Sequence, residues 1–326
     1  MQLQLRDIAM IKEADIKIDG LTVIAGENDT GKSSIGKALF LLLKARTFAK
    51  NQQNSSFKEK IKWLEPKIFR QEVLKKSSQI ELILENDLIK YSFLEQSVGE
   101  IKFLEAIFIE SPIILNYYQT FRAISNANSI LDFKIPYSYL SWDVYIKLAQ
   151  KSKSEYEISK RDSLIEFIKE IIDGDFIYKD EMANERWVFV RDSKEFEMDN
   201  TATGIKQFGL LLSIFKNGYL TENRILILDE LEVHLHPKWQ LEMAKVIIKL
   251  VKSGVKVLVT SHSPYMIEAL EIFSKKEKIN STFYLAKKEK NFSKIEDVTK
   301  NTGAIYELLA EPFDVLEDKE VDSIKW

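Results

Sequence analysis

The sequence predicts an α/β fold built around a mainly parallel sheet, and three observations carry that prediction. Apolar runs without alternation recur at residues 21–25, 225–228 and 255–260, the pattern of strands buried on both faces. Each runs straight into a loop of polar chemistry: residues 26–34, Asp229-Glu230 and Ser261-His262-Ser263-Pro264. Helical patterns follow the first two, as the crossovers of a parallel sheet require. In open α/β sheets ligands bind at the carboxyl ends of strands, which is where these loops fall.

Composition narrows the class. The chain has 326 residues, 45% of them hydrophobic and 30% charged, enough for a sizeable core. A net charge of -3 provides no global basic field, so any nucleic-acid contact would be local. The absence of cysteine excludes a disulfide framework and thiolate zinc sites and is compatible with a reducing compartment. The start, MQLQLRDIAM, lacks the basic-then-apolar layout of a signal peptide. The run KALFLLLKA falls well short of the roughly 20 residues of a membrane span. A soluble cytoplasmic protein without a membrane partner is expected.

Residues 1–20 read as two short strands, LQLRDI and ADIKID, with Asp19-Gly20 as turn chemistry. The strand LTVIA then enters GENDTGKSS, which satisfies G-x-x-x-x-G-K-[ST] with Gly26, Gly31, Lys32 and Ser33, and the helical SSIGKALFLLLKA follows. Glycines let the backbone curl so that successive N–H groups cradle phosphate oxygens at a helix N-terminus. Asn28, Asp29, Thr30 and Ser34 belong to the same cradle. Lys32 would reach the β- and γ-phosphates of a nucleotide, and the Ser33 hydroxyl would ligate Mg2+. A decorative glycine-rich turn is the alternative; the strand before and helix after favour the nucleotide.

Residues 44–77 hold ten cations, Lys44, Arg46, Lys50, Lys58, Lys60, Lys62, Lys67, Arg70, Lys75 and Lys76, against Glu59, Glu65 and Glu72. A DNA-backbone or acidic-partner surface is one reading, and a solvated helical face is the favoured one. Phe57, Trp63 and Phe69 are expected to pack this arm down rather than stack on bases. QIELILENDLIKYSFL, residues 79–94, reads as a hairpin, and LEAIFI, 104–109, as a strand. Residues 141–172 are mostly helical by pattern, and 187–190 with 195–198 form a further hairpin.

Residues 200–218 are a polar loop opening an apolar helix with a glycine stop. Thr203, Gly204 and Lys206 fall in its opening, where free N–H groups welcome an anion. Residues 224–237, RILILDELEVHLHP, follow. Two adjacent carboxylates at the end of a buried strand need compensation, so a metal and a phosphate are natural candidates, with a solvated turn as the alternative. Pro237 starts a helix that Gly254 stops. STFYLA, KIEDVT and an acidic helix-like tail close the chain, which contains no internal repeat.

The order of P-loop, strand with Asp-Glu and strand with His resembles the ABC-type ATPase head. The 33 residues from Asp229 to His262 leave room for one helix and one strand, and the 197 from Lys32 to Asp229 imply a large insertion. More closely, GENDTGKSS, NTATGIKQF, LILDELEVHLHPKWQ and VTSHSPYMIEAL resemble bacterial AAA/ABC ATPases related to OLD, RecF and SMC heads. The resemblance thins over about 47–185. It implies a P-loop NTPase with an N-terminal antiparallel β-subdomain. A mainly helical inserted lobe over 47–185 would interrupt a nucleotide-binding core of 1–46 and 186–326, all within a single head.

The resemblance further implies ATP binding and hydrolysis with Mg2+, in a composite site between two facing heads, hence a homodimer in the ATP state. On that pattern Asp229 would hold Mg2+ through water, Glu230 would polarise the attacking water, and His262 would sense the γ-phosphate. Residues 201–207 would be the signature loop, with Thr203, Gly204 and Lys206 near the partner's ATP. The chain departs from the pattern in three places: Ala202 lies close to where a phosphate-binding serine would be, Asp29 stands where relatives often have glycine, and Leu231 replaces a common proline. The family's Q-loop glutamine has no assignable position.

His234-x-His236 with Glu232 offers ligand types, but its spacing at a turn, with no further histidine nearby, points to a dimer-contact or structural role rather than zinc. The 64 residues after His262 are too few for the Toprim nuclease that many relatives carry. A separate nuclease or effector acting in trans is therefore expected, as in a two-gene defence system against phage or plasmids. The alternatives are an ATP-dependent binding switch with little turnover, and direct DNA engagement through the 44–77 arm as in repair-type heads.

Overall fold

The computed structural model describes residues 1–51, 56–99, 105–128, 138–150, 162–181, 184–222 and 224–317. The chain begins with the hairpin β1 (Gln2–Ile8) and β2 (Ile11–Lys17), then β3 (Leu21–Gly26), α1 (Lys32–Asn51), α2 (Phe57–Phe69), β4 (Leu74–Ile83), β5 (Leu88–Ser92), β6 (Gln96–Ser97) and β7 (Glu105–Ile109). Helices α3 (Tyr118–Asn128), α4 (Tyr139–Ala149) and α5 (Asp162–Ile172) lead to β8 (Asp175–Glu181), β9 (Asn184–Arg191) and β10 (Lys194–Glu197). The last part is α6 (Thr203–Lys216), β11 (Arg224–Asp229), α7 (Pro237–Lys252), β12 (Lys256–Ser261), α8 (Pro264–Lys276), β13 (Ser281–Glu289), β14 (Phe292–Asp297) and α9 (Gly303–Glu317).

Eleven of the described strands form one mixed sheet in the order β6-β5-β4-β1-β2-β14-β13-β3-β12-β11-β7. Its parallel half runs β13-β3-β12-β11-β7, with the unalternating strands in the middle. They are apolar throughout because both faces are covered. Along β11, Ile225 and Ile227 point into a core shared with α1, while Leu226 and Leu228 point into a core shared with α6, α7 and α8. Burying each such side chain contributes about 1.5–3 kcal/mol, so a polar residue in these runs would be costly.

The expected 79–94 hairpin is β4–β5, closed where Leu84 N donates to Asp87 O at 2.9 Å. The stretch 47–185 supplies β4, β5, β6 and β7 to the large sheet as well as helices α2 to α5. β4 joins because its alternating residues complete the edge of β1, with Leu82 opposite Leu3 and Ile80 opposite Leu5. Strand β8 had no sequence signal of its own. It turns the expected 187–198 hairpin into a three-stranded sheet, held by the Lys179–Glu195 pair at 2.5 Å and by Tyr178 donating to Glu185. Among the described residues no helix is long and apolar enough to cross a membrane.

The basic arm is less basic at its surface than its sequence. Lys44, its side chain only 11% exposed, pairs with Asp143 at 2.5 Å, and buried Arg46 donates to Val98 O at 2.8 Å. Helix α2, opened by a Ser56–Glu59 capping box, packs Phe57, Ile61, Leu64 and Ile68 inward. Lys62, Trp63, Lys67 and Arg70 face outward. Trp63, expected to pack down, does so edge-on against Phe48 and Tyr139, with ring centres 6.0 and 6.1 Å away, yet it stays 50% exposed and carries the Lys67 ammonium 5.0 Å from its ring centre.

Candidate functional site

β3 delivers the P-loop between β13 and β12. Gly26 turns out of the strand at φ 150°, and a Cβ there would lie 2.4 Å from the Ala286 carbonyl oxygen, so no other residue fits. Thr30 Oγ1 donates to Glu27 O at 2.8 Å, and Ser34 N donates to Gly31 O at 3.0 Å as α1 begins. Asp29 adopts φ 59°, a left-handed conformation that aspartate tolerates better than most residues, and its carboxylate pairs with Lys288 of β13. That explains an aspartate where glycine was expected. Lys32 is 3% exposed, and its ammonium donates to Glu27 O at 2.6 Å.

Sheet register brings the second and third loops beside the first. Asp229 pairs in register with Thr260, and Thr260 with Ile24, so the ends of β11, β12 and β3 lie side by side. Thr260 Oγ1 donates to Asp229 Oδ1 at 2.5 Å, and the Ser33 hydroxyl lies near this carboxylate. Burial pushes the Asp229 carboxyl above the usual carboxylate range, with Thr260, Ser33 and Lys37 opposing and the Glu230 charge adding to the rise. A buried carboxylate beside the hydroxyl of the P-loop fits a divalent cation, whose charge would relieve that cost.

Glu230 turns away from the strand at φ 49°, its N–H donating to Thr260 O at 3.1 Å. Its Oε1 lies 3.4 Å from Lys32 Nζ and 3.5 Å from His262 Nδ1. The His262 contact, with Lys32 adding, lowers the Glu230 pKa despite partial burial. The same contact, with Glu232 behind it, raises that of His262. Two adjacent carboxyls thus have their pKa values pushed in opposite directions, Asp229 up and Glu230 down.

Two acidic residues at the site were given no role in it by the sequence. Glu232 is 3% exposed, and its Oε1 accepts from Ser261 Oγ at 2.6 Å and from His262 N at 3.1 Å. It fixes the backbone that carries His262, and burial raises its pKa. Its signal was a third acid set between Leu231 and Val233. Glu110 follows β7, whose Ile109 pairs with Leu228, so it stands level with Asp229. Although Glu110 is solvent-exposed as a residue, the protein packed around its carboxyl raises its pKa, Lys37 opposes, and the Asp229 charge adds. Only the placement of β7 beside β11 could reveal it.

At the turn after Glu230, Leu231 is buried in the core, and backbone bonds from Val233 N to Glu230 O (3.1 Å) and Leu235 N to Glu232 O (2.9 Å) hold the turn without proline. His236 caps α7, its Nδ1 accepting from Lys238 N at 3.3 Å.

The opening of α6 sits apart from the P-loop, in a cleft of about 610 Å3 lined by Thr203, Lys206, Asn116, Asp199, Ser111 and His234 among others. Ala202 occupies its N-cap without a capping side chain. Lys206 is 8% exposed, and its ammonium donates to Asn116 Oδ1 at 2.9 Å and Met198 O at 3.1 Å, while burial lowers its pKa. A Cβ at Gly204 would lie 3.0 Å from Leu235 and 3.1 Å from Trp239, so this glycine lets α6 approach the turn. Gln207 Nε2 donates to Val233 O at 3.1 Å. These contacts tie α6 to the segment that follows Glu230.

The fold is that of a P-loop ATPase head, and part of the chain is similar to AAA ATPase domains. Residues 126–267 match the model of an AAA ATPase domain, a stretch that contains Asp229, Glu230 and His262 and leaves the P-loop outside. Over 93% of this chain and 98% of the other, the fold is similar to an SMC head solved with the C-winged helix domain of ScpA, at TM-score 0.51 and 14% identity. An SMC head with an extended coiled coil, bound to the C-terminal domain of ScpA derived from Pyrococcus furiosus, gives TM-score 0.50 at 13% identity, over 97% and 98% of the two chains. Identities this low speak for the fold alone. Among curated proteins, the Septu protein PtuA of Bacillus thuringiensis is 40% identical over 48 residues, 15% of this chain and 12% of that protein.

Proposed function

We propose that the chain binds and hydrolyses ATP, closes head to head with a second copy around the nucleotide, and thereby gates a separate effector. The observation that carries hydrolysis is Glu230, set between Lys32 at 3.4 Å and His262 at 3.5 Å at a strand end beside the P-loop. The loop residues Gly26, Asn28, Asp29, Thr30, Gly31 and Ser34 surround the phosphates, and Lys32 neutralises them. Ser33 and Asp229 are the residues that would hold Mg2+, which when bound supplies charge neutralisation at the phosphate oxygens. Glu230, kept ionised by its neighbours, accepts a hydrogen bond from the attacking water and orients it; a depressed pKa suits an orienting acceptor better than a strong base. In this reading His262, 3.5 Å from Glu230, donates to a γ-phosphate oxygen.

The 610 Å3 cleft at Thr203 and His234 supports the dimer reading, since it is a separate polar surface at the opening of α6. SMC heads are solved with ScpA bound, and the short match to a Septu protein favours an effector in trans with a role in phage defence. The decisive experiment compares Glu230→Gln with wild type, reading ATP turnover and mass by light scattering. Retained binding, turnover reduced about 100-fold or more and a trapped dimer are expected. Turnover like wild type removes Glu230 from its role, and fast turnover in a monomer removes the dimer.

A second reading, direct DNA contact, rests on the α2 face, where half-exposed Trp63 stands among Lys62, Lys67 and Arg70.

A further inference from the structure

Helices α7 and α8 leave the site directly, α7 after the Asp229-Glu230 turn and α8 after His262. Both return from the carboxyl edge of the sheet along the same face, packed on each other. Between their far halves and α5 lies a groove of about 250 Å3. Its floor is apolar: Phe167, Ile248 and Phe273. Its walls carry Lys245, Lys249 and Lys252 of α7, Lys276 of α8 and one acid, Glu277, which follows α8. The α7 lysines recur at i, i+4 and i+7, which places them on one stripe of the helix. Lys249 Nζ stands 4.5 Å from the Phe167 ring centre, Lys245 pairs with Glu242 at 2.8 Å, and Lys252 with Glu277 at 2.5 Å. Four cations around one apolar trough contrast with a chain whose net charge is -3. Further up the same helices Leu241 is 40% and Ile272 52% exposed, so the surface is amphipathic along its length.

We infer that this groove seats an acidic amphipathic helix of a partner protein, an inference that rests on the effector-gating reading above. Apolar side chains at i, i+3 and i+4 of such a helix would cover Phe167, Ile248 and Phe273, and its flanking carboxylates would meet the lysines. A nucleic-acid backbone would use the ammonium groups and leave the apolar floor bare, and lysine stems favour a partner that buries them. A helix lying across α7 and α8 grips the two helices that follow the turns bearing Glu230 and His262. Any preference of the seated helix for one spacing of those elements is returned as a change in nucleotide affinity, because such coupling is reciprocal.

The test uses the full chain and a fluorescein-labelled synthetic helix with leucine at i, i+3 and i+4 and glutamate elsewhere, read by anisotropy. Saturable binding that weakens about tenfold or more in Lys249→Glu/Lys276→Glu, and also in Phe167→Ala with an unchanged melting temperature, is the expected result. Equal binding of polyglutamate, or insensitivity to Phe167→Ala, reduces the groove to a generic cationic surface and overturns the proposal. So does preferential, charge-dependent binding of a DNA duplex or phosphatidylserine vesicles over the helix. A separate titration measures nucleotide affinity with and without saturating helix. If the helix binds in the groove but nucleotide affinity does not move, the docking site stands and the gating reading falls.

Discussion

Lys32 Nζ lies 3.4 Å from Glu230 Oε1, so the cation of the P-loop and the carboxylate at the end of β11 are in direct electrostatic contact. A polyphosphate bound at the loop competes for that cation and frees Glu230 to hold water. Lys32→Ala is therefore expected to lower ATP affinity at least about tenfold, measured by calorimetry, since it removes the buried positive charge of the cradle. Affinity like wild type would place the nucleotide elsewhere.

The Glu230–His262 contact makes a signed pH prediction. His262 has its pKa raised above 6.5, so its contribution is full below 6.5 and is lost as pH rises through the raised value. Glu230 has its pKa lowered below 4.5, so its contribution is present above 4.5 and is lost as pH falls through the lowered value. The pair is intact between those limits. In metal-free protein, the His262 ring titration followed by NMR is expected above 6.5, and Glu230→Gln should bring it down. An unchanged midpoint in that variant would show that Glu230 is not the cause.

Gly26→Ala should destabilise the fold by about 1–3 kcal/mol in urea unfolding, through left-handed backbone strain and the approach to Ala286 O at 2.4 Å. A neutral effect would mean that β3 and β13 separate easily at the loop.

Replacing Lys60, Lys62 and Lys67 by glutamine tests the α2 face. If it binds DNA, the salt dependence of affinity should flatten by about 0.9 in logarithmic slope for each phosphate no longer neutralised, and Trp63→Ala should weaken single strands more than duplex. Absence of DNA affinity at low salt ends that reading.

The chemistry-bearing loops were legible because each follows an unalternating apolar strand, and that pattern depends only on burial of both faces. The P-loop of Gly26, Gly31, Lys32 and Ser33 is local, since its hydrogen bonds lie within a few residues. Glu110 and β8 were not legible. Glu110 matters only because β7 pairs with β11, a partnership between residues more than a hundred positions apart. β8 is a strand because β9 pairs with it, not through any apolar alternation of its own.

By itself, then, the sequence determined the α/β character, the phosphate loop and the identity of the carboxylates and histidine at two further strand ends. Tertiary structure decided which of these meet. Sheet order set β12 between β3 and β11, which brought Glu230 within reach of both Lys32 and His262. It also buried Arg46 and drew Lys44 onto Asp143 out of the basic arm, left Trp63 half exposed, and directed Lys206 onto Asn116 and Met198. The physical reason is range. Backbone curvature and two-sided burial are written in neighbouring residues, whereas the solvation and electrostatic partners of a charged side chain depend on elements far away in the chain.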